Sequence, residues 1–230
     1  MSAPGAAPRR GRLPLRRAQL SDEVAGHLRA AIMSGALRPG TFIRLDETAA
    51  SLGVSATPVR EALLTLRGEG MVVLEPHRGH VVSPLTRQDV DDISWLQVTI
   101  ARELAATAAE HIADDEIDDL EHTADALEAA VAAADTETIA AIEFAFHRAL
   151  HRCTGRTKLA WFLLQATRYL PVPVYAADPQ WRRAAVDNHR RLVDALRRRD
   201  PAAVAEHFTW QFTDGARRLT DGLDRAGIWA

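Results

Sequence analysis

The apolar rhythm of the chain changes once, near Ser83, and that change limits what it can fold into. Upstream, apolar residues come in short groups set off by Gly and Pro, and the last groups are two β-rich runs, Met71–Leu74 and His80–Ser83. These flank Glu75-Pro76-His77-Arg78-Gly79, which reads as a hairpin with a polar, basic tip. Downstream of Thr86, strand signals vanish and a period of about 3.6 runs on in Ala-rich segments without strict heptads. The expected fold class is mainly α: a small N-terminal unit carrying a β-hairpin, then a C-terminal antiparallel all-α bundle.

Local signals divide the first part further. Ser21 is a candidate N-cap for a helix with Val24, Leu28, Ala31 and Ile32 on one face, stopping near Gly35 before a Pro39-Gly40 turn. A short helix is expected from Asp46 to Leu52, closed by Gly53. Thr57 as N-cap and Pro58 as first residue then start a third helix, which buries Val59, Ala62, Leu63 and Leu66 and ends near Gly70. Three short helices followed by a basic-tipped hairpin describe a winged helix-turn-helix over residues 20–84, with residues 1–19 as a disordered basic leader. In the second part, residues 86–222, Thr86 and Asp89 have the spacing of a capping box. Helices are expected near 87–112, 115–133, 136–153, 157–170, 179–199 and 201–221. Asp114, Asp135 and Asp200-Pro201 serve as starts, and Gly155 and Pro171–Pro173 as breaks.

Charge follows the same division. Residues 1–84 hold 11 Arg and no Lys against 7 Asp+Glu, a net of +4, while the remainder holds 17 Lys+Arg against 24 Asp+Glu, a net of −7. An acidic body with a basic end suits a polyanionic partner at that end. A helix-turn-helix sets the start of its second helix in the major groove, so Ser55, Thr57 and Arg60 become candidate DNA-reading residues. Arg can pair with a guanine through two hydrogen bonds. Arg78 at the hairpin tip could enter a minor groove, with Gly79 allowing close backbone approach. No apolar run nears the roughly 20 residues that a membrane span needs. The one cysteine, Cys153, cannot form an intrachain disulfide, which suits a reducing cytoplasm.

Four stretches carry a resemblance. They are Ser34-Gly35-Ala36-Leu37-Arg38-Pro39-Gly40, then Leu52-Gly53-Val54-Ser55-Ala56-Thr57-Pro58-Val59-Arg60-Glu61-Ala62-Leu63, then Leu66-Arg67-Gly68-Glu69-Gly70-Met71-Val72, and Arg78-Gly79-His80-Val81-Val82. Over residues 20–84 the chain resembles the winged helix of the GntR family of bacterial regulators. It departs at Ala56, where the family usually has a base-contacting Arg. The resemblance then leaves the readout to Arg44 and Arg60, or implies a different operator base.

In the second part, Glu143 and His147 stand four apart on one helix face, a spacing that can hold one metal ion. His189, His207 and Gln211 lie on later helices, and a carboxylate with imidazoles suits Zn, Ni or Mn. This region is similar to the FCD effector domain of the FadR-like branch, a helical bundle that dimerises around a ligand cavity. Many such domains hold a metal with an Asp and a His four apart, then two more His, and the metal can bind a carboxylate effector. Here Glu143 replaces the Asp, and Gln211 falls where the last His is usual, with His207 one turn earlier. The resemblance implies metal ligands Glu143, His147 and His189, with His207 or Gln211 as a fourth. A metal-free cavity using His147, His189 and Gln211 as hydrogen-bonding groups is the other reading.

Thr99 stands where the branch often has an Arg four residues before the Glu matched by Glu103. Thr99 and Arg102 are thus expected at the effector, with Arg168 as a further compensating cation. Trp161, Phe162, Tyr169, Trp181 and Trp210 are candidates for cavity walls or dimer contacts. The reading implied is a ligand-responsive repressor in the cytoplasm. It binds a short palindromic operator as a homodimer and is modulated by an organic acid. A metal-dependent enzyme built on Glu143, His147 and His189 is one rival, although no nucleophile motif, phosphate loop or dedicated general base accompanies them. An effector-free architectural DNA-binding protein is the other.

Overall fold

The computed structural model describes residues 15–76, 78–176 and 178–229. Of the expected leader, residues 1–14 lie outside the described residues, as does His77 of the hairpin tip. Helix α1 covers Leu15–Met33, so Ser21 sits within the helix and does not cap it. The helix ends where expected: Gly35 takes φ +78°, and Leu37 donates back to the Ala31 carbonyl at 2.9 Å. Strand β1 (Phe42–Ile43), helix α2 (Leu45–Leu52) and helix α3 (Ala56–Gly68) follow.

The N-cap of α3 is Ser55, two residues before the expected Thr57. Ser55 makes no side-chain cap bond, because one of its two usual partners is the N–H three residues on, and that residue is Pro58. Proline is tolerated there because the first N–H groups of a helix have no partner within it.

The hairpin forms as β2 (Val72–Glu75) and β3 (Gly79–Val82), paired antiparallel with Val73 opposite Val81 and Glu75 opposite Gly79. The structure adds β1 on the other side of β3, Phe42 opposite Val81, making a three-stranded sheet of order β1-β3-β2. Two residues are too few for a period-2 pattern, and β1 is held by its pairing with β3 and by Ile43 in the core.

The second part is helical throughout the described residues. It comprises α4 (Arg87–His111), α5 (Asp114–Ala132), α6 (Thr136–Cys153), α7 (Thr157–Thr167), α8 (Val172–Tyr175), α9 (Pro179–Arg197) and α10 (Pro201–Ala226). Thr86 and Asp89 close the expected capping box, and Asp135 and Asp200 each accept from backbone N–H groups of the turn that follows. Helix α10 runs beyond the expected 221 to Ala226, where Gly227 takes φ +62° and ends it. None of the described helices is long and apolar enough to cross a membrane.

One core joins Ile100, Leu104, Leu120, Phe146, Leu163, Leu196 and Phe208 inside the bundle. A smaller one holds Leu127, Ile139, Trp181 and Ala185 beside it. The head does not close its own core. Val24, Leu28, Val59, Leu63 and Leu66 share one apolar cluster with Leu170, Ala216, Leu219, Leu223 and Ile228 from the second part. Gly35 packs directly on this second part: a Cβ there would lie 2.8 Å from the Ile228 side chain.

Candidate DNA-reading surface and buried imidazole cluster

The start of α3 is open to solvent. Ser55 and Arg60 are exposed, Thr57 is half-buried in the first turn, and Pro58 and Val59 below them anchor the helix in the core. Arg44, the N-cap of α2, is exposed with its guanidinium 3.5 Å from Glu47. At the hairpin tip, Arg78 is exposed, lies 3.6 Å from Glu75 and sits over the Phe42 ring at 5.8 Å. Gly79 takes φ +102°, which a side chain would resist. These solvated guanidiniums can exchange weak carboxylate contacts for phosphate or base edges at little desolvation cost.

The second site is the opposite in kind. Glu143 and His147 from α6 and His189 from α9 offer ligand atoms that all lie within 4.8 Å of one another. Glu143 and His189 side chains are each only 1% exposed. The Glu143 Oε2 stands 3.5 Å from His147 Nε2, and its Oε1 stands 3.5 Å from His189 Nε2. His189 Nδ1 lies 2.8 Å from the Ala185 carbonyl. It must carry the proton to donate there, which leaves Nε2 with a bare lone pair aimed at the cluster.

Burial is the largest influence on both ionisable groups, and it favours the neutral form of each. At His189 burial prevails and lowers the pKa. At Glu143 the two imidazoles and the Gln211 amide outweigh it and hold the carboxyl below its usual range. The resting arrangement is a carboxylate facing the neutral imidazole of His189. Glu143 Oε1, both nitrogens of His147 and His189 Nε2 are buried with no hydrogen-bond partner. Glu143 Oε1 and His189 Nε2 converge as acceptors without a donor, an arrangement that suits a cation. Two donors on one tetrahedral zinc stand about 3.3 Å apart, close to the 3.5 Å seen here. The residues therefore fit a divalent metal.

The expected fourth positions separate. Gln211 Nε2 donates to Glu143 Oε2 at 3.2 Å and belongs to the cluster. His207 instead meets Asn188 Oδ1 at 3.0 Å and lines a shallow groove of about 300 Å³ with Asp187, Arg191 and Trp210. Thr99 and Arg102 need correcting: both are exposed, and the Thr99 hydroxyl donates to the Trp95 carbonyl. Among the polar residues of α4, Gln97 is fully buried, with Nε2 on the Ala166 carbonyl at 2.9 Å and Oε1 unpartnered. Glu103 is tied outside by Arg156, and Arg168 is committed to Glu69.

His151 was not singled out, though it stands one further step of four along α6. Its Nε2 is buried and unpartnered, its ring stacks on His147 and Phe208, and burial, reinforced by the charge of His147, pushes its pKa down to about 3. Phe146 and Phe208, rather than the expected Trp and Tyr residues, form the aromatic wall of the cluster. Trp181 is core, Tyr169 packs on the head, Trp210 is half-buried, and Trp161 and Phe162 are exposed.

A winged head with an exposed helix start, joined to a helical bundle with a buried carboxylate–imidazole cluster, is the architecture expected of a transcription regulator with an effector domain. Residues 20–82 match the bacterial regulatory proteins of the gntR family, and residues 92–209 match the FCD domain. The chain belongs to the GntR family and carries an FCD effector-binding domain.

It is similar to the HTH-type transcriptional regulator McbR of Escherichia coli, 26% identical over 190 residues, which span 81% of this chain and 86% of McbR. It is also similar to the probable D-xylose utilization operon transcriptional repressor of Paenarthrobacter nicotinovorans, 29% identical over 196 residues, or 84% of this chain and 85% of the relative. The solved structure of E. coli McbR/YncC shares the fold with a TM-score of 0.71 at 22% identity, covering 88% of this chain and 97% of that one.

Proposed function

We propose that the protein is a repressor that binds a short, near-palindromic operator as a homodimer and changes its DNA affinity when an organic acid occupies the bundle. The converging, unpartnered acceptors of Glu143, His147 and His189 carry this reading. Those three residues, with Gln211 beside them, would hold a divalent ion of the zinc class. A bound ion supplies a fixed positive charge able to take a carboxylate. The Ala185 carbonyl of α9 orients His189, and Phe146 and Phe208 pack against the His189 and His147 rings. Arg44, Ser55, Thr57, Arg60, Arg78 and Gly79 are the proposed DNA contacts.

Dimerisation is supported by apolar side chains left open on the neighbouring helices α4 and α7. Trp95 is 68%, Trp161 52% and Phe162 57% exposed, joined by Leu96 and Leu164. So large an apolar group suits an interface with a second copy. A dimer repeats the reading helix across a two-fold axis, which calls for two half-sites. Effector binding then needs only a few kcal/mol of preference for one arrangement of the heads.

The test uses full-length protein purified without chelator or His-tag. Metal content is measured first, then DNA is selected from genomic fragments, and retention is assayed with added organic acids. A stoichiometric metal, a two-fold bound sequence and acid-dependent release are expected. A monomer that selects no sequence would overturn the reading, and turnover of an added acid would favour an enzyme.

A further inference from the structure

We propose that the strap joining α7 to α9 is the link by which the buried cluster governs the seating of the reading helix, and that Glu69 is its point of attachment. The inference rests on the reading that the cluster is the effector-sensing site, and it adds the path and the residues.

Glu69 is the C-cap of α3, at the far end of the helix from Ser55 and Arg60. Its carboxylate receives Arg29 of α1 through Nε at 3.0 Å and Nη2 at 2.9 Å. It also receives Arg168 Nη1 at 2.8 Å. The next strap residue, Tyr169, donates its hydroxyl to the Glu69 carbonyl. Leu170 after it is 5% exposed inside the head's core. Three consecutive residues thus supply an ion pair, a hydrogen bond and an apolar plug, all at the end of α3 that does not face DNA. The clasp holds α3 by its inner end and leaves the reading end open.

The other end of the strap runs back to the cluster. The Ala176 carbonyl accepts from Arg182 Nε at 2.6 Å, and Ala176 is buried with Trp181 and Ala185. The Ala185 carbonyl is the partner of His189 Nδ1. The α7 end is also tied inward, through Gln97 to the Ala166 carbonyl. Moving His189 when the cluster is occupied must therefore shift the first turns of α9 or strain this bond. Ala176 lies one turn before them, and the strap reaches Glu69 within a few residues. A close-packed chain of contacts transmits such a shift because it cannot deform freely.

A second tie between head and bundle runs through α10, where Arg38 donates to the Ala226 carbonyl at 2.9 Å. It offers the control. Amide hydrogen exchange is followed at residues 66–72 of the full-length protein, with and without added Zn²⁺. The variants are Arg168→Gln with Tyr169→Phe, Tyr169→Phe alone, and Arg38→Gln.

In the wild type, zinc should change exchange at these amides. In the double variant their exchange should rise about tenfold without zinc, and the response to zinc should vanish while zinc uptake is retained. Tyr169→Phe should show a smaller form of both effects, which keeps the test open if the double variant unfolds. Arg38→Gln should keep the response. Survival of the response in the double variant overturns the strap as the link, as does a wild type that binds zinc with no change at 66–72. If the wild type takes up no zinc, the metal reading fails instead. The strap is then judged on the zinc-free comparison, where unchanged exchange in the double variant overturns it.

Discussion

The head and the bundle each present a site, and the two are built on opposite physics. At the head, Arg44, Arg60 and Arg78 stand in water, where a charge costs little to keep and is free to meet a polyanion. In the bundle, Glu143 and His189 are almost wholly shut off from water, with Glu143 Oε1 and His189 Nε2 left without a hydrogen-bond partner. Burying such groups is expensive unless something compensates. The comparison teaches that the surface site requires only exposure and the right helix end, whereas the buried site requires three helices to agree on one point.

Four measurements can break or sharpen that contrast. The largest effect should come from Leu223→Ala, on α10 but inside the core of the head. It is expected to destabilise the protein by about 2–5 kcal/mol, read by denaturant unfolding. A loss below about 0.5 kcal/mol would show that the head stands on its own core.

Next, Glu143→Gln keeps the side chain's shape and removes its charge. Zinc binding, titrated against a chromogenic chelator, should weaken by more than about 100-fold, with selected DNA still bound by the zinc-free protein. Unchanged zinc affinity would remove the cluster from consideration.

Third, Arg60→Ala should weaken specific binding by about 1–3 kcal/mol at each half-site and leave zinc uptake untouched. Near-normal operator affinity in a gel-shift or anisotropy titration would sink the assignment of the α3 surface. The smallest effect belongs to Gly35→Ala, where φ is +78° and the new methyl meets Ile228. It should cost about 1–2 kcal/mol, seen as a lowered Tm without change at either site.

The two sites also differed in how far the sequence revealed them. The head was legible because its signals are local: Gly35, Gly53 and the Ser55–Pro58 turn each act on a few neighbouring residues. Even there, Thr57 moved from cap to first turn, with Ser55 taking the cap position without a side-chain bond. On α4, counting inward from Val90 by threes and fours reaches Ser94, Gln97, Ala101 and Leu104, all buried, and leaves Thr99 and Arg102 outside. Matching to a family pattern put the polar contact at Thr99; the period of the helix itself puts it at Gln97. His151 could have been found the same way, one step beyond Glu143 and His147.

Taken alone, the sequence settled what depends on near neighbours: where helices start and stop, which face of each is apolar, and the change from a winged head to a helical bundle. Only the tertiary structure decided that Leu170, Leu219 and Leu223 complete the head's core, that Gln211 joins the cluster while His207 turns to Asn188, and that a third strand closes the sheet. The reason is physical. Periodicity and capping act over a turn or two of chain, whereas burial and desolvation belong to surfaces brought together from distant segments, and no local pattern states which surfaces will meet.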